Sequence, residues 1–204
     1  MSTMRQEPFQ PATYADLLVY PEGQRWELIE GVPMLQSAPN WQHQMISGEL
    51  LSALMAYLRG KPCQAFHAPF DVQFGDPDDA DDAVSTVLQP DLVVVCDPSR
   101  LYKSGYRGSP RLVVEIISPG TARKDMLVKY RIYQKAGIAS YWIVQPEERN
   151  ILQYHLNETG VYELVNVVTE ADTLTDPEFP EMAIPGAGLF PPMVVEPDMK
   201  GERI

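Results

Sequence analysis

Two cysteines, three histidines and no long apolar run limit what this 204-residue chain is able to be. Cys63 and Cys96 do not make a disulfide framework. Taken with His67 they fall short of the four closely spaced ligands of a zinc site. Such sparse cysteine suits a reducing cytoplasm. No apolar stretch approaches the roughly 18 residues of a membrane span. The opening MSTMRQEPFQ is polar and has no secretory-signal pattern. There is no internal repeat and no long linker. No phosphate-binding glycine fingerprint, P-loop or G-x-S-x-G elbow is present. The acidic run from Gly75 to Thr86 lacks the central glycine and closing glutamate of an EF-hand and reads as a solvated loop.

Basic charge is also scarce, with 16 Lys and Arg against 28 Asp and Glu and a net charge of −12. Its distribution is uneven. The segment from Arg100 to Lys135 carries +7, which leaves −19 on the rest of the chain. Screening makes such a local patch count for more than the total, so phosphate binding is not excluded. The composition, 45% hydrophobic and 22% charged, is that of a folded domain with a core of its own.

The pattern along the chain is α/β. Trp26 to Gln36 reads as a hairpin turning at Glu30-Gly31. Asn40 caps a long helix that Gly60 ends, with Met45, Leu50, Leu51, Leu54, Met55 and Leu58 as its apolar stripe. Short strands follow around Gln64–His67 and Phe70–Phe74. Pro90 to Cys96 and Arg111 to Ser118 are near-continuous Val, Ile and Leu, as in central strands buried on both faces. Thr121 caps a helix running to Lys135, Ser140 to Val144 is another strand, and a hairpin turns around residues 157–160. The boundaries are an N-terminal arm (1–12), one domain (13–190) and a proline-rich tail (191–204).

Glu115 is the informative residue. It stands inside a strand expected to be buried, where an unpaired carboxylate costs several kcal/mol. Asp91 stands at the mouth of the other central strand. If the two strands are neighbours, the carboxylates converge on one face and make a hard-oxygen site of the kind that holds Mg²⁺ or Mn²⁺. The competing reading is that each acid pairs with a nearby arginine. Asp125, Lys129 and Tyr133 fall on one helical stripe, which places Lys129 beside the acids. A metal-activated water and a lysine facing developing charge suit phosphodiester cleavage. The alternative for Lys129 is a surface helix pair.

The ordered set Trp26-Glu27-Leu28-Ile29-Glu30-Gly31, His43, Gln89-Pro90-Asp91-Leu92-Val93, Val114-Glu115-Ile116-Ile117-Ser118-Pro119, Asp125, Lys129, Tyr133, Gly137 and Tyr141-Trp142-Ile143-Val144 resembles the bacterial Uma-two family, within the PD-(D/E)XK nucleases. The resemblance covers most of the chain from Tyr14 to Phe190. It implies a restriction-endonuclease-like fold: a mixed central β-sheet flanked by helices, with an N-terminal β-hairpin addition. It also implies a metal-dependent endonuclease acting on DNA, in the cytoplasm and as a homodimer, with no membrane partner. In that pattern Asp91, Glu115 and the backbone carbonyl of Ile116 hold Mg²⁺ or Mn²⁺, and Lys129 and His43 join the catalytic group. Beside that pattern, alternation along their strand puts Glu27 and Glu30 on one face as outer ligands, Asp125 or Tyr133 holds the Lys129 stem, and Arg123 and Lys124 in the basic segment meet phosphate. The third element of the E-x-K motif would fall at Ile117, so the resemblance moves the lysine role to Lys129. The rival expectation is a non-catalytic binding or assembly module on a degenerate nuclease scaffold.

Overall fold

The computed structural model describes residues 10–21, 23–76 and 78–192. The expected arm up to residue 9 and the expected tail from residue 193 lie outside the described residues. Residues 10–12 and 191–192 are described: Ala12 N–H donates to the Gly31 carbonyl at 2.9 Å, and Pro191 is buried.

A short helix α1 (Tyr14–Leu17) precedes the hairpin β1 (Trp26–Ile29) and β2 (Val32–Leu35). Glu30 and Gly31 turn it with φ of 49° and 81°, the mirror-image turn that matches strand twist. A Cβ at Gly31 would collide with Pro11, so glycine is required there twice over. Helix α2 (Trp41–Leu58) starts where the Asn40 side chain accepts from His43 N–H at 2.9 Å. Then come β3 (Gln64–His67), β4 (Asp71–Gln73), β5 (Val87–Leu88) and β6 (Leu92–Val95). After a 3₁₀ turn, Pro98–Arg100, stand β7 (Leu101–Tyr102), β8 (Gly105–Arg107) and β9 (Leu112–Ile116). A π-helical segment (Lys124–Lys129) leads into α3 (Tyr130–Lys135). The chain closes with β10 (Ser140–Gln145), β11 (Asn150–Leu156), β12 (Tyr162–Thr169), β13 (Thr173–Asp176) and β14 (Phe179–Pro185).

These strands form two six-stranded mixed sheets and a two-stranded one. The central sheet runs β12-β11-β10-β9-β6-β3, with β9 parallel to β10 and antiparallel to β6. The other runs β2-β1-β5-β4-β8-β7. The central strands are buried on both faces, as their composition dictates. Leu112, Val114 and Ile116 of β9 face the stripe Ile46, Leu50, Leu54 and Leu58 of α2. Burial of each such side chain contributes about 1.5–3 kcal/mol. Val113 and its neighbours Val93 and Val95 face Tyr133, Tyr141 and the second sheet's Val72, Leu88 and Tyr106.

Two details depart from the periodicity. Met45 and Met55, expected in the α2 stripe, are 46% and 55% exposed. The buried positions recur every fourth residue, a stripe too narrow to take in neighbours about 100° away. The strands β13 and β14 fall in a stretch where the sequence marks no element; Pro180 and Pro185 sit on the exposed positions of β14, where a sheet edge tolerates them.

Cys63 and Cys96 are joined by a disulfide, not left as separate thiols. The register Gln64↔Val95 makes them the next pair outward across β3 and β6, with Cα atoms 4.0 Å apart.

Candidate active site

The site grows out of the β6–β9 ladder. The register Leu92↔Val114 carries Asp91, just before β6, to the position opposite Glu115; Glu115 is on the face away from α2, while Asp91 reaches the first turn of α2 at His43. The chain then leaves β9, turns at residues 118–121 with Thr121 N–H on the Ser118 carbonyl at 3.0 Å, and returns as a helix over that face. The π segment widens this helix by a residue, and both Asp125 and Lys129 point inward and are buried. Glu27 comes from the other sheet. Its position in β1 is fully buried.

These side chains close on one ammonium. Lys129 Nζ lies 2.8 Å from Glu115 Oε1, 2.7 Å from Glu27 Oε1 and 3.5 Å from Asp125 Oδ1. Tyr133 donates its hydroxyl to the same Glu115 Oε1 at 2.5 Å. Lys124 Nζ reaches Glu27 Oε2 at 2.9 Å and Gln36 Oε1 at 2.7 Å. Asp91 Oδ2 accepts from Ile116 N–H at 2.8 Å and pairs with His43 Nε2 at 3.0 Å. Asp91 and Glu115 therefore stand at the ends of neighbouring strands on one cavity, and their partners are His43, Lys129 and Tyr133 rather than arginines.

The electrostatics follow from three buried acids sharing too few cations. Burial opposes the Lys129 charge, but Glu115, Glu27 and Asp125 around it hold the ammonium well above its ordinary range. Burial likewise opposes ionisation of Glu27, yet Lys129 and Lys124 together bring its carboxyl below the usual range. Burial pushes Glu115 well above the usual range; Lys129 pulls it back only in part, and Asp125, Asp91 and Glu27 add to the rise. Asp125 is raised too, chiefly by burial. The cost of burying charge therefore falls mainly on Glu115 and Asp125, which line a cavity of about 620 Å³ with Asp91, His43, Lys124 and Lys129.

The arrangement can take a hard divalent cation. Both protein bonds to Glu115 fall on Oε1 and both to Asp91 on Oδ2, which leaves Oε2 and Oδ1 without a donor among the described residues. Asp125 Oδ1 is buried with no hydrogen-bond partner. Among the described residues no group of three or more His, Cys, Asp and Glu is gathered to hold an ion. Mg²⁺ sites commonly use only one or two carboxylates, with water and substrate oxygens completing the shell. The donor set fits that pattern.

Other expected residues are placed differently. Glu30 is a turn residue, exposed and outside the cavity. Three positions along a strand from Glu27, it stands on the opposite alternation. Arg123 is exposed beside the site, and Lys124 is spent on Glu27. The +7 segment is no continuous basic face. Arg100 pairs with Asp97, Arg107 with Asp81, Arg111 with Glu178, and both Lys124 and Lys129 are paired inside the site. Arg107 also takes the Asp79 carbonyl, so the acidic loop is anchored by its Asp79 and Asp81. The sequence marks Gln89 only as part of the Gln89-Pro90-Asp91 motif, without a role, and does not single out Gln36, Arg25 or Trp41; all four are on the cavity wall. Gln89 N–H donates to Glu27 Oε1 at 3.0 Å, and a pairing between β1 and β5 brings it there.

Residues 11–187 match the family described as "Uma2: Putative restriction endonuclease". Over 162 residues the chain is 26% identical to the uncharacterised protein slr1290 of Synechocystis, covering 78% of this chain and 82% of that one. The fold is similar to a crystal structure described as a "putative nuclease belonging to DUF820" from Anabaena variabilis, with a TM-score of 0.69 and 21% identity over 88% of this chain and 98% of the other. At that identity the likeness is one of fold. With a match that spans nearly the whole of the two-sheet domain, the chain belongs to the Uma2 family and carries its restriction-endonuclease-like fold.

Proposed function

We propose that the protein is a metal-dependent phosphodiesterase that hydrolyses DNA. The observation that carries this is the Asp91–Glu115 pair across neighbouring strands, both lining a cavity that Lys129 also lines and each with one oxygen free of a donor among the described residues. In this reading Asp91, Glu115 and the carbonyl of Ile116 hold Mg²⁺ or Mn²⁺. The ion's contribution when bound is to lower the pKa of water and to draw charge from the phosphoryl oxygens. His43 orients Asp91 through its Nε2 contact. Lys129, kept protonated by the acids around it, supplies fixed positive charge where negative charge develops. Glu27, Asp125 and Tyr133 position Lys129 and Glu115. Arg123, exposed and next in sequence to Lys124, is a cation for a flanking phosphate. A cytoplasmic location goes with a DNA substrate. If both strands of a duplex are cut, a homodimer is the assembly that suits the symmetry, and sedimentation decides it.

The test is cleavage of plasmid and oligonucleotide DNA with Mg²⁺ or Mn²⁺. Asp91→Asn and Glu115→Gln are expected to lower the rate by roughly 10²-fold or more, the cost of losing a transition-state charge contact. Wild-type protein that cuts no DNA with either ion overturns the reading. One observation favours the alternative, a non-catalytic module on a nuclease scaffold: Glu115 Oε1 and Lys129 are already committed to each other. Inactive wild type that still binds DNA would establish that alternative.

A further inference from the structure

The acids of the proposed centre do not lie on a surface. The Glu115 and Asp91 side chains are 4% and 14% exposed. They sit in a concave cavity of about 620 Å³, within the about 300–1,000 Å³ of sites that enclose a small-molecule-sized ligand. An intact duplex presents its phosphates on a convex surface with the bases turned inward, so it meets the rim of such a cavity. A strand without its complement bends in and leaves a base free to turn outward.

The wall has what a free base needs. Trp41, the first residue of α2, lines the same cavity and is 45% exposed. It stands two residues before His43, whose Nε2 is 3.0 Å from Asp91. Arg25 lines the cavity as well. Its Nε is held by Gln89 Oε1 at 3.1 Å, and among the described residues no carboxylate pairs with its guanidinium. A stacking aromatic and a cation on the wall of one cavity are what hold unpaired strands without sequence readout.

We propose that the substrate is single-stranded or locally unpaired nucleic acid, with a base next to the scissile phosphate stacked on Trp41 and a neighbouring phosphate on Arg25. This rests on the phosphodiesterase reading of the cavity. It assigns Trp41 a binding role rather than a catalytic one, and a single unpaired strand has no need of a two-fold assembly.

The experiment is fluorescence anisotropy with a labelled single strand and the duplex of the same sequence, with EDTA and with Ca²⁺. The single strand is expected to bind at least tenfold more tightly than the duplex. Trp41→Ala is expected to weaken that binding about tenfold or more, the size of one lost base–aromatic stack. Trp41→Phe should retain most of it, and neither change should move the melting temperature by more than a degree or two, because the ring is half in solvent. Equal affinity for duplex and single strand overturns the proposal, as does a Trp41→Ala variant that binds like wild type. Because binding is read apart from hydrolysis, the two readings fail separately. A protein that binds single strands through Trp41 but cuts nothing loses the nuclease reading alone. One that cuts duplex equally well with and without Trp41 loses the stacking alone.

Discussion

Lys129 Nζ lies 2.7 Å from Glu27 Oε1, and this contact ties the helix over one sheet to the first strand of the other. Both side chains are almost wholly buried, so the pair is not the exposed helix pair that its Asp125 spacing alone allows. Lys129→Met is expected to cost about 3–5 kcal/mol, since it strands buried carboxylates with only Lys124 nearby. An exposed pair would cost under about 1 kcal/mol. Urea denaturation of wild type, Lys129→Met, Glu27→Gln and the double variant checks this. The double variant should be less destabilised than the sum of the singles, and strict additivity would mean that the pair does not couple the sheets.

Burial and the neighbouring acids raise the carboxyls of Glu115 and Asp125, and a cation in the cavity would favour their charged forms, which makes a second prediction. A divalent cation bound only by the folded protein raises stability by about 2.7 kcal/mol at one hundred times its dissociation constant. Mn²⁺ should therefore raise the melting temperature of wild type. Asp91→Asn keeps an oxygen for the Ile116 N–H but loses its charge, and should fold while losing most of the Mn²⁺ response. A wild-type melting curve indifferent to millimolar Mn²⁺ counts against Asp91 and Glu115 as ligands.

The parts of the site that lie on one continuous stretch were legible in the sequence. Near-continuous apolar residues mark β6 and β9 as central, and a carboxylate inside such a run demands a partner. Pro119-Gly120 demands a turn, and a helix after it brings Lys129 back. Of the second sheet only the β1–β2 hairpin and β4 were legible, because β5, β7 and β8 have only two or three residues and show no alternation to detect. The role of Glu27 hid for the same reason: nothing local tells that β1 packs beside that helix. Charge counting misled in the segment from Arg100 to Lys135, since the acids that neutralise it, Glu27, Asp81 and Glu178, are distant in sequence. The disulfide was equally hidden. Only the β3–β6 register, not the spacing of 33 residues, makes Cys63 and Cys96 partners.

That disulfide carries a third prediction. Closing a loop of 33 residues stabilises the fold by about 3–4 kcal/mol in the chain-entropy model. Protein purified without reductant should show no free thiol by Ellman titration, and two after denaturation with reductant. Cys63→Ser should lower the denaturation midpoint, and reductant should bring wild type close to the variant. Two titratable thiols in native protein kept under air would contradict the pairing.

Asp71 offers a test of pH dependence away from the proposed ligands. Burial raises its carboxyl above the usual value of 3.8, and the hydrogen bonds from Gln89 Nε2 and the Tyr14 hydroxyl bring it only part of the way back. The folded protein therefore binds this proton more readily than the unfolded chain. By linkage, stability falls as pH rises through the window from 3.8 to the raised folded value, and stays at the lower level above it. Asp71→Asn removes the titration while keeping the shape. The new amide oxygen still accepts from Gln89. The amide nitrogen donates to the Tyr14 hydroxyl, which in turn serves Ser104 Oγ, 3.0 Å away. The variant should melt higher than wild type at pH 7, and the difference should close as pH is lowered toward 3.8. Thermal melts of both proteins at matched pH values check this through the difference alone, so that other acid-sensitive groups cancel. A variant that melts lower than wild type at pH 7, or a gap that does not narrow with acid, would mean that Asp71 is stabilised as a carboxylate by its hydrogen bonds and not strained by its burial.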